Sequence, residues 1–303
     1  MLRVQAVPGN HQRLDGGAMF GNAPRAVWSR WCAPDEQGRI ELACRAMLVE
    51  DGDRRVLFET GIGAFFEPKL RERYGVLEAE HVLLRSLDRL GLSDRDIDMV
   101  VLSHLHFDHA GGLLAQWADG QPPQLLFPRA VFLVGATALD RAEHPHPRDR
   151  ASFIPELPTL LRESGRLRVV ADAAEADVFL GPRYRFRESF GHTPGMLHAE
   201  VIGAHGRVFF CADLVPGTAW VHLPITMGYD RFPERLIDEK TEFFADFIRT
   251  DTHLFFTHDV SVAAARLERG ADGRYKAAPT LADFGPAWDL DHPHLELRET
   301  PRA

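Results

Sequence analysis

Cysteine is scarce in this chain of 303 residues, which contains only Cys32, Cys44 and Cys211. An odd count of three cannot form a complete disulfide framework and is typical of a protein from a reducing compartment. The sequence also lacks any apolar run near the roughly 18 residues that a membrane-spanning helix requires. Its first residues contain no apolar stretch typical of a secretion signal. We therefore expect a cytoplasmic protein with no membrane partner.

Positively charged residues are also few, since the chain has 35 Lys and Arg residues and 44 Asp and Glu residues, which gives a formal net charge of −9. Such an acidic chain lacks the electrostatic footprint of a nucleic-acid-binding protein, so we expect no nucleic-acid partner. The chain contains 45% hydrophobic and 26% charged residues. These are ordinary globular values, and they exclude disordered and coiled-coil proteins.

No repeat, low-complexity tract or linker divides the chain, so we expect a single domain spanning residues 1–303. The first residues are rich in Gly and Pro, which predicts an irregular N-terminal segment, 1–35. Residues 261–303 follow the last candidate site residue and are expected to form a C-terminal extension.

The spacing of apolar residues predicts the secondary structure. Residues 39–48 and 54–60 predict the two strands of a hairpin, with turn residues at 50–53. Residues 79–90 and 233–249 predict helices. Further strands are predicted at 98–103, 129–134, 166–170, 184–190, 253–257 and, as a hairpin, 198–212. This alternation predicts a layered α/β or α+β domain in which helices flank sheets.

One segment, SHLHFDHAGG at residues 103–112, concentrates metal-binding side chains directly after a predicted strand. His104 and His106 are two residues apart, so in an extended segment they point the same way. Asp108 and His109 follow, and Ala-Gly-Gly then allows a tight turn. This loop can direct two imidazoles at one divalent ion, and a carboxylate and an imidazole at a second. The alternative is a solvated His-rich turn without a metal.

Three later positions complete a candidate ligand set, each at the end of a predicted strand. His192 lies in FGHTPG, Asp213 ends the apolar run VFFCAD, and His258 follows FFT. Taken singly, these residues would be an ordinary turn histidine and ordinary strand-end residues. With the earlier cluster they offer seven ligands, which is more than one tetrahedral site uses.

In order and spacing, these residues resemble the metallo-β-lactamase superfamily, whose hydrolases carry an H-x-H-x-D-H motif followed by a later His, Asp and His. The resemblance covers about residues 40–260. It implies a four-layer αβ/βα sandwich with a two-metal site at one edge between the sheets. It also implies that the first ion is bound by His104, His106 and His192, that the second is bound by Asp108, His109 and His258, and that Asp213 bridges both.

The resemblance further implies the chemistry of the site. Two divalent ions would share a bridging hydroxide, because metal binding lowers the pKa of water toward neutrality. Asp108 would orient that hydroxide and return a proton, and Asp213 would hold both ions, so both are candidate catalytic residues. Zinc is the expected metal, and the same ligand types accept manganese, iron or cobalt.

Two positions depart from the pattern of the related enzymes. Glu-Thr-Gly at residues 59–61 stands where Asp-Thr-Gly is usual, and Glu59 is expected to orient a ligand histidine as that Asp does.

Residues 15–21 resemble the N-terminal segment of quorum-quenching lactonases and methyl parathion hydrolase-like enzymes. Those lactonases place a Tyr three residues after the bridging Asp, where this chain has Pro216, and Tyr229 is a candidate replacement.

The segment 214–232 is too irregular for a helix and too apolar for a solvated loop. We expect it to form one wall of a substrate pocket, with the N-terminal segment forming the opposite wall. The expected substrate-binding residues are Trp220, His222, Leu223, Met227, Tyr229, Met19 and Phe20. The alternative is a loop that packs against the core.

The segment 214–232 contains one cation, Arg231, whereas recognition of a phosphate dianion calls for Arg or Lys. A small-molecule substrate with a neutral ester bond therefore fits better, and the resemblance favours a lactone of the N-acyl homoserine type. Hydrolysis of phosphotriesters or aryl esters is one alternative. A non-catalytic metal-binding or sensing protein is another. We also expect that the apolar N-terminal segment supports a homodimer.

Overall fold

The computed structural model describes residues 1–282 and 287–292. Its strands are β1 (Leu2–Val7), β2 (His11–Asp15), β3 (Arg39–Ala43), β4 (Ala46–Asp51), β5 (Arg54–Phe58), β6 (Met99–Leu102), β7 (Val131–Gly135), β8 (Leu167–Val170), β9 (Tyr184–Ser189), β10 (Met196–Ile202), β11 (Arg207–Phe210), β12 (His253–Phe255), β13 (Ala264–Arg269), β14 (Tyr275–Leu281) and β15 (Trp288–Asp289). Its α-helices are α1 (Gly16–Phe20), α2 (Arg25–Trp28), α3 (Pro68–Arg73), α4 (Val82–Arg89), α5 (Phe107–Ala110), α6 (Ala136–Glu143), α7 (Leu157–Glu163), α8 (Ala173–Leu180) and α9 (Pro233–Thr250). Short 3₁₀ helices lie at Asp94–Asp96, Gly111–Leu113, Arg150–Ser152, Ala212–Leu214 and Thr218–Val221.

Within the described residues, the strands form two large sheets and one small one. The first sheet has seven strands in the order β15-β1-β4-β5-β6-β7-β8, and the second has six in the order β14-β13-β12-β11-β10-β9. In the first sheet, strands β5 to β8 run parallel, which requires long connections between them. Strands β2 and β3 form a separate antiparallel pair.

The two large sheets pack face to face, because alternate side chains of each strand point to opposite sides of its sheet. In β6, Val101 belongs to the core between the sheets, whereas Val100 and Leu102 belong to the core under α4, α6 and α7. The rings of Phe58 in the first sheet and Phe210 in the second lie 5.6 Å apart. With α9 outside the second sheet, these layers form the expected four-layer αβ/βα sandwich.

Helix α9 covers the outer face of the second sheet, and its predicted bounds are nearly correct. It begins at Pro233, whose fixed φ angle suits the first helical turn. Phe243, Phe244 and Phe247 form its buried stripe, and the ring of Phe247 lies 4.4 Å from that of Phe209 in β11. Neither α9 nor any other helix among the described residues is long and apolar enough to cross a membrane.

The N-terminal segment 1–35 is not irregular, so that prediction is wrong. Strand β1 pairs with β4 along its whole length, from Leu2 opposite Asp51 to Val7 opposite Ala46. Strand β2 pairs with β3. The Gly and Pro content was misleading, because Pro8 and Gly9 lie between the two strands and Gly16 and Gly17 belong to α1, so none of them interrupts β1 or β2.

Two further expectations change in the structure. The predicted strand 39–48 is broken, because β3 pairs with β2 whereas β4 pairs with β1 and β5. At the break, the amide of Arg45 donates to the carbonyl of Thr257 at 3.0 Å. In the C-terminal extension 261–303, β13 and β14 join the second sheet and β15 joins the first. Residues 283–286 and 293–303 of that extension lie outside the described residues.

Candidate metal centre

Both sheets contribute to one cluster of imidazole and carboxylate side chains. Strand β6 and the segment after it supply His104, His106, Asp108 and His109, and the second sheet supplies His192 after β9, Asp213 after β11 and His258 after β12. Strand ends suit this role, because the sheet fixes the backbone while the following loops allow the side chains to converge. The structure thus brings together all seven residues that the sequence predicted to bind metal.

The first group consists of His104, His106, His192 and Asp213, which are all buried and whose ligand atoms lie within 4.8 Å of one another. His192 Nε2 lies 3.2 Å from His106 Nδ1 and 3.1 Å from Asp213 Oδ2. These four residues match the set that the resemblance assigned to the first ion and its bridge.

The second group consists of Asp108, His109 and His258. Their imidazole Nε2 atoms lie 3.2 Å apart, and Asp108 Oδ2 lies 3.8 Å from His109 Nε2 and 3.7 Å from His258 Nε2. Asp213 reaches this group too, since its Oδ1 lies 3.1 Å from His258 Nε2 and its Oδ2 lies 3.3 Å from His109 Nε2. Asp213 therefore occupies the position that a bridging ligand requires.

Glu59 is fully buried beside this cluster, where it contacts His109 of the second group directly and reaches His104 of the first group through Ser103. Its Oε2 lies 2.7 Å from His109 Nδ1, while its Oε1 accepts a hydrogen bond from the hydroxyl of Ser103. That hydroxyl lies 2.8 Å from His104 Nδ1. Glu59 is thus placed to orient His109 directly and His104 through Ser103, as outer partners of metal-binding histidines do.

Two more outer partners hold His192 and His258. His192 Nδ1 lies 2.8 Å from Asp230 Oδ1, and the other carboxylate oxygen of Asp230 accepts the amide of Met227 at 2.6 Å. His258 Nδ1 lies 2.6 Å from the carbonyl oxygen of Ala43. Sequence reasoning missed Asp230, although it lies in the segment 214–232, because nothing local distinguishes it from a surface carboxylate.

The carboxylates of the cluster hold positive charge on three of its histidines. Burial lowers the pKa of His192 and of His258, but the charge of Asp213, its hydrogen bonds and the other partners of each ring together outweigh burial and bring each pKa to about 10. Burial likewise lowers the pKa of His109, and Glu59 and Asp213 raise it well above its ordinary value. In turn, these three histidines outweigh burial and hold the pKa of Asp213 well below its ordinary value. A divalent ion bound by these histidines would displace their protons, and the same carboxylates would then face the charge of the ion.

His104 and His106 remain neutral, because burial and the neighbouring histidines lower their pKa values well below the ordinary range. A metal-binding imidazole must be neutral. The buried Nε2 of His104 has no hydrogen-bond partner among the described residues and lies 4.0 Å from Asp213 Oδ2. An unpaired buried nitrogen is costly unless something binds it. The donor types and this orphaned atom fit two divalent ions.

The clustered residues all lie inside a stretch that identifies the family. The family model of the Metallo-beta-lactamase superfamily matches residues 39–258, which is more than half of the chain. The chain belongs to the metallo-beta-lactamase superfamily. The matched stretch ends at His258, so it includes every residue of both groups.

Relatives within the superfamily include the probable metallo-hydrolase Rv2300c of Mycobacterium tuberculosis, which is 30% identical over 220 residues. That match covers 65% of this chain and 66% of the relative, so it spans slightly less than two thirds of the relative's length. A probable metal-dependent hydrolase from Staphylococcus aureus superposes with a TM-score of 0.80 and 25% identity, over 92% of this chain and 98% of that chain. AidC, a dizinc quorum-quenching lactonase solved with a product, shares the fold with a TM-score of 0.70 and 19% identity, over 92% and 94% of the two chains.

In this superfamily member, a cavity of about 170 Å³ opens onto the ligand cluster. Five metal-site residues line it, namely His106, Asp108, His192, Asp213 and His258. The other lining residues are Leu14, Met19, Tyr74, Phe107, Ala151, Ser152, Met227 and Tyr229. Met19, Met227 and Tyr229 were expected to contact substrate, and the structure places all three in the cavity wall.

The other four expected substrate-binding residues, Phe20, Trp220, His222 and Leu223, do not line this cavity. Phe20 and Trp220 are buried and stack at 4.5 Å, and the indole of Trp220 donates to the carbonyl of Met19 at 3.0 Å. His222 stacks on Trp31, and Leu223 packs against the core. Large aromatic side chains gain most by full burial, so they support the wall from behind.

Proposed function

We propose that this protein is a metal-dependent hydrolase that cleaves neutral, partly apolar esters, with lactones as the leading substrate class. The observation that carries the proposal is the wall of the metal-site cavity, whose lining is largely apolar and, among the described residues, includes no Lys or Arg. A phosphate dianion needs such cations, whereas an uncharged ester does not. The fold shared with AidC, a lactonase, adds support.

The two groups would hold divalent ions, which would supply Lewis acidity and lower the pKa of bound water toward neutrality, and zinc is the metal that we propose first. Asp108 lines the cavity, and one of its oxygens accepts a hydrogen bond from Gln12 at 3.0 Å. This contact fixes the carboxylate toward the cavity. We propose that Asp108 accepts a proton from the attacking water and returns it to the leaving oxygen.

We propose that Tyr229 supplies the hydroxyl donor that Pro216 does not provide, and its position in the cavity wall supports this role. Burial and the charge of Asp108 raise the pKa of Tyr229, so its phenol stays protonated near neutral pH. The backbone on either side is held, because the amide of Gly228 donates to the carbonyl of Ala18 at 2.7 Å and Asp230 binds His192. We propose that the phenol donates a hydrogen bond to an ester oxygen at the reaction centre.

The apolar part of the substrate has room beyond the metal-site cavity. A second cavity of about 440 Å³ shares Tyr74 and Phe107 with the first and includes Phe65 and Trp117. A third, of about 280 Å³, continues from Phe65 and Trp117 along the loop 115–124. The aromatic side chains of the second cavity, which is also lined by Glu67, Arg150 and Glu156, suit an acyl chain or an aryl ring. N-acyl homoserine lactones with longer acyl chains are therefore the proposed preferred substrates.

The same aromatic walls favour a second candidate, the hydrolysis of aryl esters or uncharged phosphotriesters. A panel of lactones of increasing acyl length, aryl esters and phosphotriesters, assayed on one metal-quantified preparation, separates the candidates. We expect the highest kcat/KM for long-chain lactones. A phosphotriester with a kcat/KM at least tenfold above every lactone would reverse the order. Full metal content without turnover of any substrate would favour a binding or sensing protein.

A further inference from the structure

Two adjacent residues of α9, Glu239 and Lys240, bind the backbone of two loops that meet at the first metal site. One loop carries His192, and the other leads to Asp230. The carboxylate of Glu239 accepts the amides of Phe190 at 2.8 Å and Gly191 at 3.0 Å, directly before His192. A Cβ atom on Gly191 would lie 2.5 Å from the Cα of Leu236, so this loop is pressed against α9. The His192 loop is therefore fixed to the helix by both polar and close backbone contacts.

Lys240 fastens the second loop, and it does so from a fully buried position. Its ammonium donates to the carbonyls of His222 at 3.1 Å, Leu223 at 3.3 Å and Ile225 at 3.0 Å. These carbonyls belong to the segment that leads to Asp230, the partner of His192. Three acceptors satisfy all three donors of an ammonium group.

The two fastened loops are also tied to each other. Asp230 and His192 are joined by their side chains at 2.8 Å, and the amide of Arg231 donates to the carbonyl of His192 at 3.1 Å. The amide of Phe232 donates to the carbonyl of Gly191 at 2.8 Å. Contacts with α9 and contacts between the two loops therefore hold His192 and Asp230 together.

Burying the charged side chain of Lys240 at this position costs free energy. Burial lowers the pKa of Lys240 to about 7, against the opposing charge of Asp230, which shows how strongly the surroundings disfavour an ammonium. An apolar side chain of similar length would avoid that cost. A charge in such a place is explained if its fixed hydrogen bonds specify one arrangement of the loop.

We propose that Glu239 and Lys240 are positioning residues for the first metal site. By fixing the two loops to one helix, they set the geometry between His192 and Asp230 and thereby the affinity of that site for its ion. The group of Asp108, His109 and His258 has no contact with either side chain among the described hydrogen bonds and ion pairs, so the second site should be unaffected. The inference rests on the metal site proposed above but is independent of the substrate.

The test measures the metal affinity of each site in the full chain. Metal-free wild type, Glu239→Gln and Lys240→Met are titrated with Zn²⁺ against a chromophoric chelator, and His192→Ala identifies the affinity that belongs to the second site. Outer partners of metal ligands typically contribute 10- to 100-fold, so residues one step further out should contribute about tenfold or less. We expect the first ion to bind about three- to tenfold more weakly in both variants, with the second unchanged.

Two controls match the variants in chemistry. Glu242→Gln changes an exposed glutamate on the same helix, and Lys276→Met removes a half-exposed lysine ion pair. Both should bind two ions as wild type does. Lys240→Arg, which keeps the charge and donors, should recover part of the affinity that Lys240→Met loses.

Hydrogen exchange of the metal-free proteins supplies a readout that needs neither metal nor substrate. We expect faster exchange of the Met227 and Arg231 amides in Lys240→Met, with unchanged exchange in β11. Equal weakening of both ions, or unchanged affinity for the first ion in Glu239→Gln and Lys240→Met, would overturn the proposal. If Lys240→Met fails to fold, Glu239→Gln alone decides. A protein without lactonase activity would still give either result, so failure of the proposed substrate is distinguishable.

Discussion

Replacing Glu59 with Gln tests whether one carboxylate orients a ligand of each ion. Gln keeps the shape and one acceptor but removes the charge next to His109. A hydrogen bond to a charged group contributes about 1.5–3 kcal/mol, and about 1.4 kcal/mol corresponds to a tenfold change in affinity. We therefore expect the second ion to bind about 10- to 100-fold more weakly in Glu59→Gln.

The first ion should lose less in the same variant. Glu59 contacts His109 directly at 2.7 Å but reaches His104 only through the hydroxyl of Ser103. The effect on His104 is therefore relayed by a neutral group that can reorient. Competition titration with a chromophoric chelator gives both affinities from one experiment, with the free energy of unfolding of the metal-free protein measured alongside.

Glu200→Gln is the matched control, because Glu200 is also a fully buried glutamate. Its partners are Arg185 at 3.0 Å, Thr252 at 2.9 Å and Arg207 at 3.6 Å, and none belongs to the two groups of the candidate metal centre. We expect this variant to lower the free energy of unfolding while both metal affinities stay at the wild-type value. Wild-type affinity for both ions in Glu59→Gln would refute the role of Glu59 as an outer partner.

Four further predictions follow from the same geometry. Asp213→Ala should lose both ions in elemental analysis, because its two oxygens face both groups; retention of one ion would refute the bridge. Tyr229→Phe should lower kcat by about 10- to 1,000-fold with little change in KM, as expected for a donor to the transition state, and a change confined to KM would assign it to binding. Trp220→Ala should lower the free energy of unfolding by about 3–5 kcal/mol, because the indole is buried behind the wall; an effect on KM alone would contradict this. In the metal-free protein, folding raises the pKa values of His192 and His258 to about 10, so their protonated forms stabilise the folded state. This contribution is complete below pH 6.5 and is lost as the pH rises toward 10. The denaturant midpoint should therefore fall over that range, and a rising midpoint would contradict the assignment.

The clustered His and Asp residues were predictable because the chemistry and the local structure coincide at each of them. His104 to His109 form one continuous motif, and Asp213 and His258 each follow shortly after an apolar strand. A strand end is readable from sequence, since the apolar pattern stops there. The four-layer arrangement followed from the family resemblance, as the strand pattern alone indicated only flanking helices.

Residues whose role depends on tertiary approach were not predictable in the same way. Asp230 becomes a partner of His192 only because α9 holds two loops together, and no local pattern encodes that contact. Trp220 was chosen for its aromatic character, yet the direction of a side chain in an irregular segment is not periodic. Strand β1 was missed because the Gly and Pro residues of the segment 1–35 are typical of irregular structure, although they lie outside the strand that pairs with β4.

Both sheets contribute candidate ligands to each group, and this couples metal binding to the stability of the fold. The first sheet supplies His104 and His106 to one group, whereas the second supplies His192 and Asp213 to the same group. The other group is divided likewise, with His258 from the second sheet. Each ion, if bound as proposed, would therefore cross-link the two halves of the sandwich. Because binding to the folded state alone stabilises it, metal affinity and the free energy of unfolding are coupled in this fold. A substitution that weakens an outer partner such as Glu59 should then reduce both the affinity and the stability of the metal-loaded protein.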